Sequence, residues 1–257
     1  MTRAKQIRVL LLLMLLTPLV YAFSMPSNPA PSWDRTKIIA IYPYNADGSE
    51  AAENYINALQ ASDFQIIEDY LQDQARAYAM PLSKPFEIRL GNPVAVSPEM
   101  PPPNASSLDQ LAWALKLRWW HWRLDTQSLQ PDIVIVARLQ SDRGGPMRLH
   151  SIGMPNPRLA LVNLIADTDY HSSNLVTLTH ELLHTVGAND HYDGPTGFPA
   201  WPEGFAQPDQ KPLYPQAFAE LMAGRIPLND EIAREARSLN ETMIGLRTAV
   251  DIGWSTP

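Results

Sequence analysis

Cysteine is absent from all 257 residues. Without thiols the chain forms no disulfide, builds no zinc–thiolate cage, carries no cysteine nucleophile and offers no cysteine for lipid attachment. Histidine is scarce as well, at six, so a pair at ligand spacing stands out. Positive charge is in short supply, with 20 Lys and Arg against 27 Asp and Glu and a net charge of -7. That balance disfavours nucleic acid and anionic membrane as partners. Long apolar runs are missing except for one, Val9 to Phe23. It falls short of the roughly 20 residues a spanning helix needs and is broken by Pro18. No internal repeat is visible.

That run sits behind Arg3, Lys5 and Arg8 and ends in small residues, so residues 1–22 read as an export signal cut after Ala22, with Val20 and Ala22 ahead of the cut. The expected location is periplasmic or secreted; an uncleaved anchor is the alternative. Removing three basic residues and no acidic one takes the net charge from -7 to -10. Residues 23–36 are proline-rich and polar, a spacer before the folded body.

With 45% hydrophobic residues, the remainder can bury a substantial core. KIIAIYPY (37–44) and FEIRL suit strands, and Phe64, Ile67, Leu71, Ala75 and Tyr78 recur at helical spacing. Residues 93–106 hold five prolines and are a loop. Ser107 to Gln110 resembles a capping box opening a helix with Trp113, Trp119, Trp120 and Trp122. These tryptophans are expected in core and helix packing, with a membrane-interface or aromatic substrate platform as the alternative; His121 among them is expected half-buried. Continuous apolar character over Ile133–Ala137 marks a central strand buried on both faces, and PNPRLALVNLIA a further strand. The order describes a mixed α/β sheet with packed helices over 37–187. A smaller, proline- and glycine-rich C-terminal part over 188–257 follows, with helical patterning in IAREARSL and in TMIGLRTAVDIGW behind Ser238 to Glu241.

The chemistry concentrates in HELLHTVGANDHYD, residues 180–193. Ser172 or Ser173 is placed to cap a helix there, and Gly187 to end it. His180 and His184, one turn apart, lie about 40° apart on the wheel, while Leu175, Leu178, Leu182 and Val186 form an apolar back. Two imidazoles supply half of a zinc cage, and Glu181 stands beside them as a base for a metal-bound water. Histidines four apart on a wet helix face also arise by chance. With six histidines in the chain, however, an HExxH is expected in under about one such sequence in a hundred.

His180, Glu181, His184 and Gly187 resemble the HExxHxxGxx(H/D) signature of the metzincin clan of zinc peptidases. The resemblance implies a zincin-like fold, one catalytic Zn2+, and Asp190 as third ligand in the snapalysin-like variant, with neighbouring His191 as the alternative. It also implies a methionine turn, for which Met222 in FAELMAGRIP is the candidate and ordinary core packing the competing account. The strand before the zinc helix, Arg158 to Ala166, is implied as an edge that pairs with substrate. Where some members place a tyrosine two residues after the methionine, this chain has Gly224; Tyr192 is a conceivable substitute. Asp193 and Glu203 are either loop residues or supports for a histidine ligand. The implied function is exported metalloendopeptidase acting as a monomer on peptide or protein, with no nucleic-acid or membrane partner. Two rivals stand beside it: a gluzincin arrangement with Glu220 as third ligand, and an exported zinc-containing binding protein without catalysis.

Overall fold

The computed structural model describes residues 30–101, 105–141 and 151–256, together with Lys5. Apart from Lys5, the expected export signal lies outside the described residues, as do residues 23–29 of the spacer and the loop at 142–150.

The centre is a five-stranded mixed sheet in the order β2-β1-β3-β5-β4. Its strands are β1 (Lys37–Asn45), β2 (Phe86–Leu90), β3 (Ile133–Gln140), β4 (Ile152–Pro155) and β5 (Arg158–Ile165). All neighbours are parallel except β4, which runs antiparallel to β5. β3 is buried throughout, as its continuous apolar run requires of a central parallel strand.

Side-chain alternation along the strands divides the core into two layers. Ile39, Ile41, Ile133, Ile135, Ala160 and Val162 face one way, under α1 (Glu50–Ala58), α2 (Gln65–Ala77) and α4 (His171–Thr185). Ala40, Tyr42, Val134, Val136, Leu159 and Leu161 face the other, under α3 (Ser107–Arg123). Each of the valine, leucine and isoleucine side chains among them, fully buried, contributes roughly 1.5–3 kcal/mol.

α3 begins one residue earlier in its cap than the sequence suggests. The box is Ser106 with Asp109: Ser106 Oγ accepts from Asp109 N at 3.2 Å, and the Asp109 carboxylate accepts from Ser106 N at 3.3 Å. Adjacent serines allow either register, and the acid three residues on selects between them. The tryptophans divide. Trp113 and Trp120 turn inward, their indoles donating to Glu99 O and Val96 O, whereas Trp119 and Trp122 are exposed. For those two the core-packing expectation fails, because Leu117 alone on this helix is fully buried.

After α4 the chain is mostly irregular, with two short ladders: β6 (Ala219–Glu220) beside β9 (Thr242–Met243), and β7 (Arg225–Pro227) beside β8 (Ala233–Glu235). IAREARSL is therefore not a helix; only its Ala233–Glu235 is regular, as a strand. Asn229 Oδ1 accepts from Glu231 N and Ile232 N and turns the chain back on itself, so Leu228 N pairs with Ile232 O. Ser238 to Glu241 makes one 3-10 turn instead of a cap; the Glu241 carboxylate goes to the Arg234 guanidinium and Arg237 N. Helix follows only in α5 (Leu246–Asp251). Leu221, Met222, Ile244, Ile252 and Trp254 join the same core as the sheet. Trp33, at the end of the expected spacer, docks there too, donating to Ile252 O at 2.7 Å. Among the described residues no helix is long and apolar enough to cross a membrane.

Candidate metal centre

α4 is set on the sheet by its first turns. The Asn174 side chain accepts from Ile165 N and donates to Ile165 O, tying the helix to the end of β5. Neither Ser172 nor Ser173 caps it; a 3-10 turn, Thr168–Tyr170, runs straight into the helix, and Ser173 Oγ donates to Tyr170 O. Leu175, Leu178, Leu182 and Leu183 are buried against the sheet. Gly187, at φ +112°, turns the chain, and Ala188 N returns to Leu183 O.

That turn supplies what orients the second histidine. His184 Nδ1 lies 2.8 Å from Ala188 O, and His180 Nδ1 lies 3.0 Å from Leu221 O. A carbonyl only accepts, so each Nδ1 carries a proton, and in the neutral ring each Nε2 carries a lone pair. The two Nε2 atoms are 3.1 Å apart, and Asp190 Oδ1 is 3.1 Å from one and 3.2 Å from the other. Three electron-pair donors thus converge. A shared proton relieves one contact, whereas a divalent cation relieves all three. Ligands bound at 2.0–2.1 Å in tetrahedral array stand about 3.3 Å apart, close to the spacing found here. Two imidazoles and a carboxylate are a zinc-type donor set. Among the described residues this is the one group of three or more His, Asp or Glu arranged to hold a metal ion.

Glu181 adjoins the group and is buried. Burial pushes its carboxyl up, the Gly153 N–H approaches it from β4, and Oε2 has no hydrogen-bond partner among the described residues. For Asp190, burial works the other way from its neighbours: His180 and His184, when protonated at Nε2, hold its carboxyl well below the usual carboxylate range. Tyr192 is pushed up to about 12, by burial and by the Asp190 carboxylate beside it.

The other candidates go elsewhere. His191 is outside the group: its N–H donates to Met222 O, and its ring sits 3.7 Å from Asp251. Glu220 is fully buried and engaged. Oε2 accepts from Met222 N and Ala223 N, and Oε1 from Gly245 N and Thr248 Oγ1. Met222 is buried directly after Leu221, whose carbonyl orients His180. Asp193 closes its own loop through Thr196, Glu203 is exposed, and His121 stays half-buried on α3.

β5 is not the edge that the resemblance implies. It is paired on both sides, and the edge is β4. β4 lies so close to α4 that a Cβ on Gly153 would meet Glu181 O and stand 2.6 Å from His184 Cβ. Beside it runs a cleft of about 540 Å³, with His180, Glu181 and Tyr192 in its wall and Arg225 and Glu235 farther along. Nothing in the sequence marks Gly153, Ala188 or Leu221 as contributors, because what they supply is backbone. The chain matches no family model, and none of the curated proteins compared with it.

Proposed function

We propose that the chain is an exported, zinc-dependent endopeptidase of metzincin type, with a zincin-like fold. The observation that carries this is the convergence of His180 Nε2, His184 Nε2 and Asp190 Oδ1 beside a buried glutamate with an unpartnered oxygen. His180, His184 and Asp190 would hold the zinc, which would supply Lewis acidity to the scissile carbonyl and to a water. Glu181 takes the proton of that water as it attacks, and delivers it to the departing amine. Its raised affinity for a proton suits both halves of the task. Tyr192, beside Asp190, lies within the same cleft wall and is available to donate to the developing oxyanion. Edge strand β4 offers main-chain groups along which an extended substrate adds as a further strand, directed past Glu181. The apolar run behind three basic residues supports export.

Glu181→Gln keeps the side chain's size and removes the base. Peptide hydrolysis should fall by about 100- to 10,000-fold, while elemental analysis still finds zinc bound. A glutamine variant that cleaves a random peptide library near the wild-type rate overturns the mechanism. Zinc retained by a wild-type chain that cleaves nothing makes it a binding protein instead.

A further inference from the structure

α3 has a second apolar face that its packing on the sheet does not use. At about 100° per residue, Leu108, Leu115, Trp119 and Trp122 fall within about 60° of one another. Their exposures are 77%, 54%, 57% and 80%. They line a ridge about 21 Å long, on the side opposite buried Leu117. Among the described residues α3 is the one helix on its side of the sheet, and of the four ridge residues only Trp119 borders the loop at Val96 to Met100. Charge on this helix also departs from the chain's acidic balance. It holds Lys116, Arg118 and Arg123 against Asp109 alone, and Asp109 is engaged in the cap. The cations stand on both shoulders of the ridge, Lys116 and Arg123 to one side and Arg118 to the other, and the Arg123 guanidinium lies 4.8 Å over the Trp119 ring.

We propose that this ridge docks the protein on an anionic bilayer surface. A convex line of leucine and tryptophan between basic shoulders matches the two layers of such a surface, acyl chains below and phosphates above. A second copy matches it less well, since a two-fold contact would set basic shoulders against basic shoulders. The overall charge, which argues against a membrane partner, averages over a surface whose sign is reversed here. α4 and its metal-binding group lie on the other face of the sheet, so a docked molecule keeps its cleft away from the lipid. The inference does not depend on the metal centre, and Glu181→Gln should dock like wild type.

The test is quenching of tryptophan emission by vesicles with brominated acyl chains, using the full chain. The apolar run at 9–23 contains no tryptophan, so insertion of that run alone gives no signal from this ridge. Vesicles containing phosphatidylglycerol should quench strongly and pure phosphatidylcholine weakly. Arg118→Gln with Arg123→Gln should weaken binding about five-fold per cation removed. Leu115→Ser should weaken it with an unchanged circular dichroism spectrum. Three results overturn the proposal: sedimentation with vesicles but no quenching, equal quenching by neutral lipid, or a dimer that Leu115→Ser dissociates while lipid quenching is absent.

Discussion

A carboxylate inside a protein persists where donors meet both of its oxygens, and the two buried glutamates near α4 differ in this respect. Glu220 receives four donors, three of them backbone N–H groups, and so fixes the turn from which Leu221 O reaches His180. Glu181 leaves one oxygen without a partner. The first is held in place by its donors; the second is the base of the proposed reaction. Glu220→Gln would point an amide NH2 at groups that themselves donate, so it should cost about 1–3 kcal/mol in urea unfolding. Its folded fraction should still hold zinc. Folded Glu220→Gln protein devoid of zinc would restore Glu220 as a ligand candidate. At this scale the sequence was informative wherever side chains do the chemistry: His180, Glu181 and His184 stand out by spacing, and Asp190 came with the resemblance. Tautomer control was invisible, since Ala188 O and Leu221 O could belong to any residue.

Strands and the long helices were legible because apolar spacing records which face is buried. β3 and α4 follow that pattern closely. The misreadings occurred where local hydrogen bonds outcompete periodicity, as at Asn229 and Glu241, and at β4, a four-residue strand hairpinned onto β5 that is too short to show a period. β4 also carries a steric demand. Gly153→Ala must push the edge strand away from α4, disturbing the wall beside Glu181 and His184, and about 1–3 kcal/mol of strain is expected. Hydrolysis should drop well beyond what the lost stability explains; full activity at unchanged stability would show that β4 does not shape the site. At the start of β3, Asp132 accepts from Ile38 N and pairs with Arg35. Burial alone would raise its carboxyl, but Arg35 and Ile38 N hold it below the ordinary value. A depressed folded-state pKa means stability that is complete above the unfolded-chain value of about 3.9 and lost as pH falls through the folded one. Asp132→Asn should therefore lower the melting temperature at neutral pH and approach wild type as the pH falls through the folded-state value. A deficit that is constant across that range would assign the residue a role without charge.

Across the whole molecule, the three converging donor atoms join parts that the backbone connects only through Gly187. His180 and His184 belong to the helix seated on the sheet; Asp190 belongs to the irregular segment beyond it, and Leu221 O enters from the turn after β6. The core runs through both parts, from Ile39 to Trp254, yet the contact at the three ligands is one between electron-pair donors. Folding brings those atoms together at an electrostatic cost that a bound cation removes and converts into linkage between the parts. On the proposed function, metal and stability are coupled. With free zinc at about 1,000 times its dissociation constant, the folded state gains about 4 kcal/mol. Chelation should lower the melting temperature by several degrees, zinc should restore it, and His184→Ala should melt low with or without chelator. A wild-type chain with the same melting temperature in both conditions would mean that the convergence of these donors is not completed by a metal, and hydrolysis through Glu181 would lose its foundation.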